Sequence, residues 1–322
     1  MPLRLVLLGT GDFALPAFRA VVQSEHSVCA VFTQPDHSGA GHHRHINPVR
    51  QLGEDAGIPV HQPARVNAPE ILDILRSYQA DVFLVAAYGQ ILKPAFLAIP
   101  RLGAFNLHGS ILPRHRGAAP VQYSIWKGDQ RAGVTMFQIE PALDSGPIAG
   151  IVETQIQPGE TSGLLMSRLA ELCVPLTLQV LQQLESGTAR LVPQDPAGVT
   201  LAPRISRDNG TIDWNQNATA VDCQIRAMQP WPKAQTWLIG PDAAPQRCIV
   251  LEAAVISDQP ELPNPNSVSP GAITVLKGRL FIAAAQSWLE ILRIQAEGRK
   301  PVDGRSFVNG YQLDSSFRFG TA

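Results

Sequence analysis

Asn106-Leu107-His108 sets a carboxamide and an imidazole two residues apart. On an extended chain, residues i and i+2 project from the same face, so the two side chains share one space if this stretch is a strand. An asparagine amide donates a hydrogen bond to an oxygen that is gaining negative charge. An imidazole takes up and returns a proton near neutral pH. Further along, the polar turn Leu143-Asp144-Ser145-Gly146 offers a carboxylate, which would orient the imidazole and stabilise its charged form. Together they suit acyl transfer to an amine: Asn106 for the oxyanion, His108 for the proton, Asp144 for the imidazolium. Spacing alone leaves open that these are polar residues satisfied at strand ends. His108 and Asp144 are only two ligands, too few for a metal site, so no metal is expected.

These groups must be positioned by the elements around them. Residues 3–8 are apolar apart from Arg4, as expected of a strand covered on both faces. Further strands are expected at 28–33, 58–61, 81–87 and 103–108, and a later pair at 134–139 and 148–154. Asp12 is the expected cap of a helix over 13–24, Asn47 with Pro48 starts another, Asn67 caps one over 68–77, and 161–184 reads as a long amphipathic helix. Strands alternating with helices at these intervals imply an α/β domain with a mostly parallel sheet. Asn106 and His108 then fall at a strand's carboxyl end, where open α/β sheets bind ligands.

The character changes after 187. Three prolines (Pro193, Pro196, Pro203) and weak periodicity mark a linker at 190–206, dividing a domain at 1–189 from one at 207–322. The later domain has a helix at 218–228 and short strands at 236–239, 248–255, 272–276, 280–284 and 289–295, the pattern of a small β-barrel or sandwich. Residues 260–270 contain four prolines and read as an exposed loop.

With 322 residues, 45% hydrophobic and 16% charged, the chain can bury two cores. The net charge of −1 excludes a global basic field that would hold nucleic acid unaided. Cys29, Cys173, Cys223 and Cys248 are far apart, so reduced thiols fit better than a disulfide framework or a zinc site. The apolar N-terminus lacks the length and cleavage pattern of a signal peptide. No continuous apolar stretch approaches the ~18 residues of a bilayer span. The expectation is a soluble cytoplasmic protein with no membrane contact.

Gly9-Thr10-Gly11-Asp12-Phe13-Ala14 follows the first strand and matches the dinucleotide pattern G-x-G-x-x-A, with Asp36 after the second strand as a ribose-binding acid. This supports an NAD-linked oxidoreductase as a rival. A tight strand-to-helix turn needs glycine for steric reasons alone.

The run Asn106-Leu107-His108-Gly109-Ser110-Ile111-Leu112-Pro113-Arg114-His115-Arg116-Gly117-Ala118-Ala119-Pro120 closely resembles the core motif of the methionyl-tRNA formyltransferases, a branch of the folate-dependent formyltransferases. Gly9 to Ala14, Val31-Phe32-Thr33-Gln34-Pro35-Asp36, Ala86-Ala87-Tyr88-Gly89, Gly133-Val134-Thr135 and Leu143 to Gly146 agree in order. So do Ile212-Asp213-Trp214, Ile225-Arg226-Ala227 and Pro230-Trp231-Pro232, so the resemblance spans almost the whole chain. The Asn-x-His with a distant Asp is shared with formyltransferases acting on glycinamide ribonucleotide or amino sugars. The resemblance implies a Rossmann-like domain without a dinucleotide, followed by an OB-like barrel that contacts tRNA. It implies catalysis by Asn106, His108 and Asp144. It places folate along Ser110, Ile111, Leu112 and Pro113, with the backbone of residues 88–91 beside the pterin. The implied reaction passes the formyl group of 10-formyltetrahydrofolate to methionyl-initiator-tRNA, by a monomer. An amino sugar nucleotide is the alternative acceptor.

Charge bears on the tRNA. Residues 207–322 hold 11 Lys+Arg and 11 Asp+Glu, so that domain has no net charge. Locally, residues 37–50 carry Arg44, Arg50, His37, His42, His43, His45 and no acid, and 101–131 carry Arg101, Arg114, Arg116, Lys127 and Arg131 against Asp129. Both segments are expected at the crevice mouth as a phosphate-facing rim. The family usually has a Lys/Arg-rich loop at 34–46 that touches the acceptor stem; here Gly39-Ala40-Gly41-His42-His43-Arg44-His45 stands instead. Histidines charge only as the pH falls through about 6.5. Apparent tRNA affinity is therefore expected to rise from pH 8 to pH 6, and an affinity unchanged over that range would refute a role for these histidines.

Overall fold

The computed structural model describes residues 1–36, 47–241, 244–257 and 259–321. The histidine-rich loop expected to meet tRNA lies outside the described residues. The chain forms two compact units, the first made of Met1–Pro120, Arg131–Gln155 and Leu165–Pro203, the second of Val121–Gln130, Ile156–Leu164 and Arg204–Ala322. The stretch 190–203 falls within the first unit.

In the first unit, strands β1 (Arg4–Gly9), β2 (Ser27–Phe32), β3 (Val60–His61), β4 (Val82–Ala86), β5 (Gly103–His108), β6 (Arg131–Gln138) and β7 (Ile148–Gln155) form one sheet in the order β3-β2-β1-β4-β5-β6-β7. The first five in that order are parallel, and β6 and β7 are antiparallel additions. The central strands β1 and β4 are apolar and buried on both faces because helices cover both. Val6, Leu8, Ala30, Phe32, Phe83 and Val85 make one side of a core with Leu72 and Leu75 of α3 (Pro69–Ser77) and Phe96 of α4 (Pro94–Leu97). The order reverses at β1, and the pairings Gly9–Ala86 and Val85–Asn106 align the carboxyl ends of β1, β4 and β5 along one edge.

Of the three expected caps, one holds and two do not. Asn47 accepts from the Val49 and Arg50 amides and opens α2 (Pro48–Asp55). Asp12 caps nothing: a 3-10 turn, Asp12–Ala14, precedes α1 (Leu15–Val22). Asn67 instead accepts from the Lys93 amide and donates to the Ile91 carbonyl, pinning the loop after β4. Gly9 is required by packing, since a Cβ there would meet Phe18 Cε2 at 2.6 Å and the Ala86 carbonyl at 2.8 Å. The Asp36 carboxylate is engaged by Arg50 and by Gln62 Nε2.

Helix α6 (Ser162–Ser186) buries Leu165, Leu169, Cys173, Leu176 and Val180, a stripe at three- and four-residue spacing. Leu176 Cδ1 and Val180 Cγ2 lie within 3.1 Å of where a Gly150 Cβ would stand, so the glycine lets α6 approach β7. By length and composition α6 is also apolar enough to cross a bilayer, although Arg168, Glu171 and other polar residues interrupt it, so it is not a continuous apolar stretch.

In the second unit, β8 (Ala234–Ile239), β9 (Gln246–Ile256), β10 (Ile273–Leu276), β11 (Arg279–Ala284), β12 (Ser287–Ala296) and β14 (Arg318–Gly320) form an antiparallel sheet in the order β10-β11-β12-β9-β8-β14, with β13 (Val302–Asp303) beside β12. A bridge between Ala272 and Arg318 joins the two ends of that order, so the sheet curls onto itself. Its inner face packs against α7 (Ala218–Ala227) and α8 (Gly304–Tyr311) through Val221, Ile225, Leu280, Ile291 and Phe307. Trp214 stacks on Phe319 and donates its indole N–H to Thr236.

Candidate active site

Strand β5 ends as the sequence implies, and Asn106 and His108 share a face at the carboxyl edge of the sheet. Asn106 is half-buried, and among the described residues no protein group hydrogen-bonds its carboxamide. Its two N–H donors face no competing acceptor. His108 is buried and lies edge-on to Phe137.

The imidazole is held from one side only. His108 Nε2 lies 2.9 Å from the His115 carbonyl. A carbonyl can only accept, so Nε2 carries the proton and Nδ1 presents a lone pair in the neutral ring. Nδ1 faces Asp144 Oδ2 at 3.7 Å, beyond hydrogen-bond reach. The ring is thus oriented by a backbone carbonyl rather than by Asp144, as spacing had suggested. Asp144 acts on charge instead. Burial holds His108 below the ordinary imidazole value, and the nearby carboxylate works against that lowering. The basic nitrogen is Nδ1, and a proton arriving there meets a carboxylate.

Asp144 is itself fixed. It has a φ of 45°, and its Oδ2 accepts the Gly117 amide at 2.8 Å. Gly117 has a φ of 128°, and a Cβ there would stand 2.5 Å from the Ala202 carbonyl. Gly117→Ala is therefore expected to cost about 1–3 kcal/mol of stability and to lower turnover by loosening the Asp144 anchor. Thermal unfolding and kcat measured together check this; a variant with both unchanged would contradict it.

The turn after β5 is tied by Thr135 of β6. Its hydroxyl accepts the Leu112 amide at 3.0 Å and donates to the Ser110 carbonyl at 2.7 Å. Ser110 is buried, and its Oγ donates to the Arg114 carbonyl. Leu112 is buried, and Ile111 and Pro113 are half-buried. The side chains of Ser110 and Leu112 thus build the turn, and Ile111 and Pro113 are the members that retain exposed surface.

Several residues of this centre were not singled out from the sequence. His115 supplies the acceptor for His108, Gly117 the donor for Asp144, and Thr135 the tie for the turn. Gln194 and Thr200 arrive from far along the chain, where no spacing pattern marks them. The basic rim is largely committed: Arg101 pairs with Asp81, Arg131 with Glu153 and Arg116 with Gln194, while Lys127 lies 5.9 Å over the Trp126 ring.

Comparison with known proteins decides the family. Residues 3–181 match the formyl transferase family and residues 204–312 its C-terminal domain. Methionyl-tRNA formyltransferase of Methylococcus capsulatus is 37% identical over 99% of this chain and 100% of its own length. That of Mycobacteroides abscessus is 40% identical over 97% of this chain and 98% of its own. This chain belongs to the formyl transferase family. The N-formyltransferase of Helicobacter canadensis, solved with folinic acid and dTDP-3-aminofucose, shares the fold at a TM-score of 0.64 and 14% identity, over 92% of this chain and all of that one. A solved sugar 3N-formyl transferase aligns at 0.65 and 13% identity, over 93% of this chain and all of that one. This formyltransferase thus shares its architecture with enzymes of different acceptors.

Proposed function

We propose that this enzyme passes the formyl group of 10-formyltetrahydrofolate to the α-amine of methionine esterified to initiator tRNA. The observation that carries the acceptor is the 37–40% identity, over nearly the whole chain, to proteins named methionyl-tRNA formyltransferase. We assign the reaction to the domain at 1–189 and tRNA contact to the domain at 207–322, in a cytoplasmic monomer.

The residues present suit a folate. The half-exposed Ile111 and Pro113, and Leu143 at 62% exposure beside Asp144, offer apolar surface to a flat ring system, next to a carboxamide with no protein partner. Ser110 and Leu112 would hold that surface in shape, and the backbone at 88–91 would lie beside the pterin. When bound, the folate supplies a formyl group on a nitrogen that can leave as an amine.

The chain's own residues do the rest. An α-amine titrates near 7.7–8.0, and an adjacent ester lowers it, so a useful fraction is neutral and nucleophilic near pH 7. Asn106 donates to the formyl oxygen as negative charge develops there. A carbon–nitrogen bond forms to the amine and the bond to N10 breaks. His108 Nδ1 takes the proton shed by the attacking amine and returns it to N10. Asp144 favours the intervening imidazolium.

The test supplies 10-formyltetrahydrofolate with methionyl-initiator-tRNA, methionyl-elongator-tRNA, free methionine or an amino sugar nucleotide. Transfer confined mainly to the initiator tRNA is expected. Transfer to the sugar amine alone would overturn the acceptor and leave the chemistry in place.

A further inference from the structure

The segment leading to Pro203 runs alongside the loop after β5. Thr200 N–H donates to the Pro113 carbonyl, Arg116 N–H to the Thr200 carbonyl, Ala202 N–H to the Arg116 carbonyl and Ala119 N–H to the Ala202 carbonyl. The Thr200 hydroxyl accepts the His115 amide at 2.8 Å, and the carbonyl of that same His115 orients His108. Six residues earlier, Gln194 spans two loops at once. Its Nε2 donates to the carbonyls of Asp144 and Gly146, each at 2.8 Å, and its Oε1 accepts from Arg116 Nε and Nη2. One carboxamide thus fastens the loop that carries Asp144 to the loop that carries His115 and Gly117.

The arrangement is costly to lose. Asp144 has a positive φ and lies in the turn between β6 and β7, where no strand ladder holds it. Gly146 is crowded, since a Cβ there would stand 1.8 Å from the Gln138 carbonyl, so the turn has one tight path. Arg116 depends on Gln194 as well: a half-buried guanidinium needs an acceptor, and a neutral carboxamide supplies one without placing a second negative charge beside Asp144.

We propose that Gln194 is a positioning residue for formyl transfer, which sets the gap between His108 and Asp144 by binding both of their loops. It touches no substrate, and its effect passes through Asp144. This rests on the assignment of the reaction above, and it reaches back 50 residues along the chain to a side chain whose type carries no chemical signature.

A double-mutant cycle tests it, on the whole chain. Gln194→Ala removes both ties. Gln194→Glu keeps an acceptor for Arg116 but loses both N–H donors, and so preserves the fold if the alanine variant does not fold. Each is expected to lower kcat about 10-fold or more, the usual scale for outer partners of a functional group, with KM for folate and for tRNA changed less than about threefold. In an Asp144→Asn background the same substitutions should cost little more, because the group they position is already gone. The acid limb of activity should move to lower pH in Gln194→Ala as in Asp144→Asn, because His108 loses the carboxylate that offsets its burial, whereas the carboxylate added in Gln194→Glu works against that shift. The groups facing His108 are Asp144 and His115, with the Arg116 guanidinium on the adjoining loop. Full additivity with Asp144→Asn, or a kcat loss in Gln194→Ala with an unmoved acid limb, would overturn the proposal. Nuclear magnetic resonance titration of the His108 ring in the protein without substrates reads the same shift. A wild type that formylates none of the acceptors would refute the proposed reaction and leave that titration to decide on Gln194.

Discussion

His108→Gln is expected to lower kcat for formyl transfer about 10²–10⁴-fold, the usual contribution of a positioned acid–base group. Glutamine keeps a side-chain N–H to offer the His115 carbonyl but has no nitrogen that accepts a proton at neutral pH. The variant therefore separates orientation from proton transfer. A sign follows for pH. Burial lowers His108 from 6.5, so the enzyme's own acid limb must lie below that value. The limb set by the substrate's α-amine lies higher. His108→Gln should abolish the lower limb and leave the upper one. Stability follows the same sign. The unfolded chain binds the proton first as pH falls, so His108's contribution to stability is complete above about 6.5 and is lost below it. The slope of stability against pH should therefore be shallower in His108→Gln on the acid side of 6.5. A variant with wild-type kcat, or one retaining the lower limb, would remove His108 from proton transfer.

Asn106→Ala is expected to lower kcat about 10²–10³-fold, as removal of one oxyanion donor does, with KM for folate nearly unchanged. The absence of a protein partner for this carboxamide among the described residues gives the prediction its edge. Truncation breaks no internal hydrogen bond and strands no buried group, so stability should change by less than about 1 kcal/mol. Loss of activity with the fold intact is the mark of a group held for the transition state. Asn106→Asp, the same shape without the N–H donors and with a negative charge facing the developing oxyanion, should be slower still. A drop in thermal stability that matches the drop in rate would point to a structural role instead.

The two predictions rest on parts of the molecule that were legible to different degrees. Strand β5 was readable to the residue, because its apolar stretch ends in Asn-x-His and period-two projection does the rest. The Asn47 cap was readable because Pro48 follows it. Asn67 misled because a short polar side chain near a helix start has other backbone groups within reach, and the 91–93 loop claimed it; Asp12 misled because a 3-10 turn precedes the α-helix, which starts only at Leu15. Helices α5 (Pro120–Trp126) and α8 went unread, the first because Pro-Val-Gln-Tyr-Ser-Ile-Trp has no clear apolar stripe, the second because glycines stand at both Gly304 and Gly310. The centre was half legible. Asn106, His108 and Asp144 have side chains whose chemistry can be named in advance. The groups that fix them are carbonyls, amides and one glutamine, which only the folded chain brings together. The orientation of His108 by a carbonyl seven residues on depends on the backbone of a loop, and no residue type announces it.

The most direct test of the central claim is single-turnover transfer of a labelled formyl group from 10-formyltetrahydrofolate to methionyl-initiator-tRNA, comparing wild type with the Asn106→Ala/His108→Gln double variant. The wild type is expected to form N-formylmethionyl-tRNA. The double variant is expected to bind folate yet to be slowed about as much as the worse single variant, since groups acting on one transition state do not add. A wild type that binds folate and transfers nothing to this acceptor, or a double variant that transfers at the wild-type rate, would contradict it.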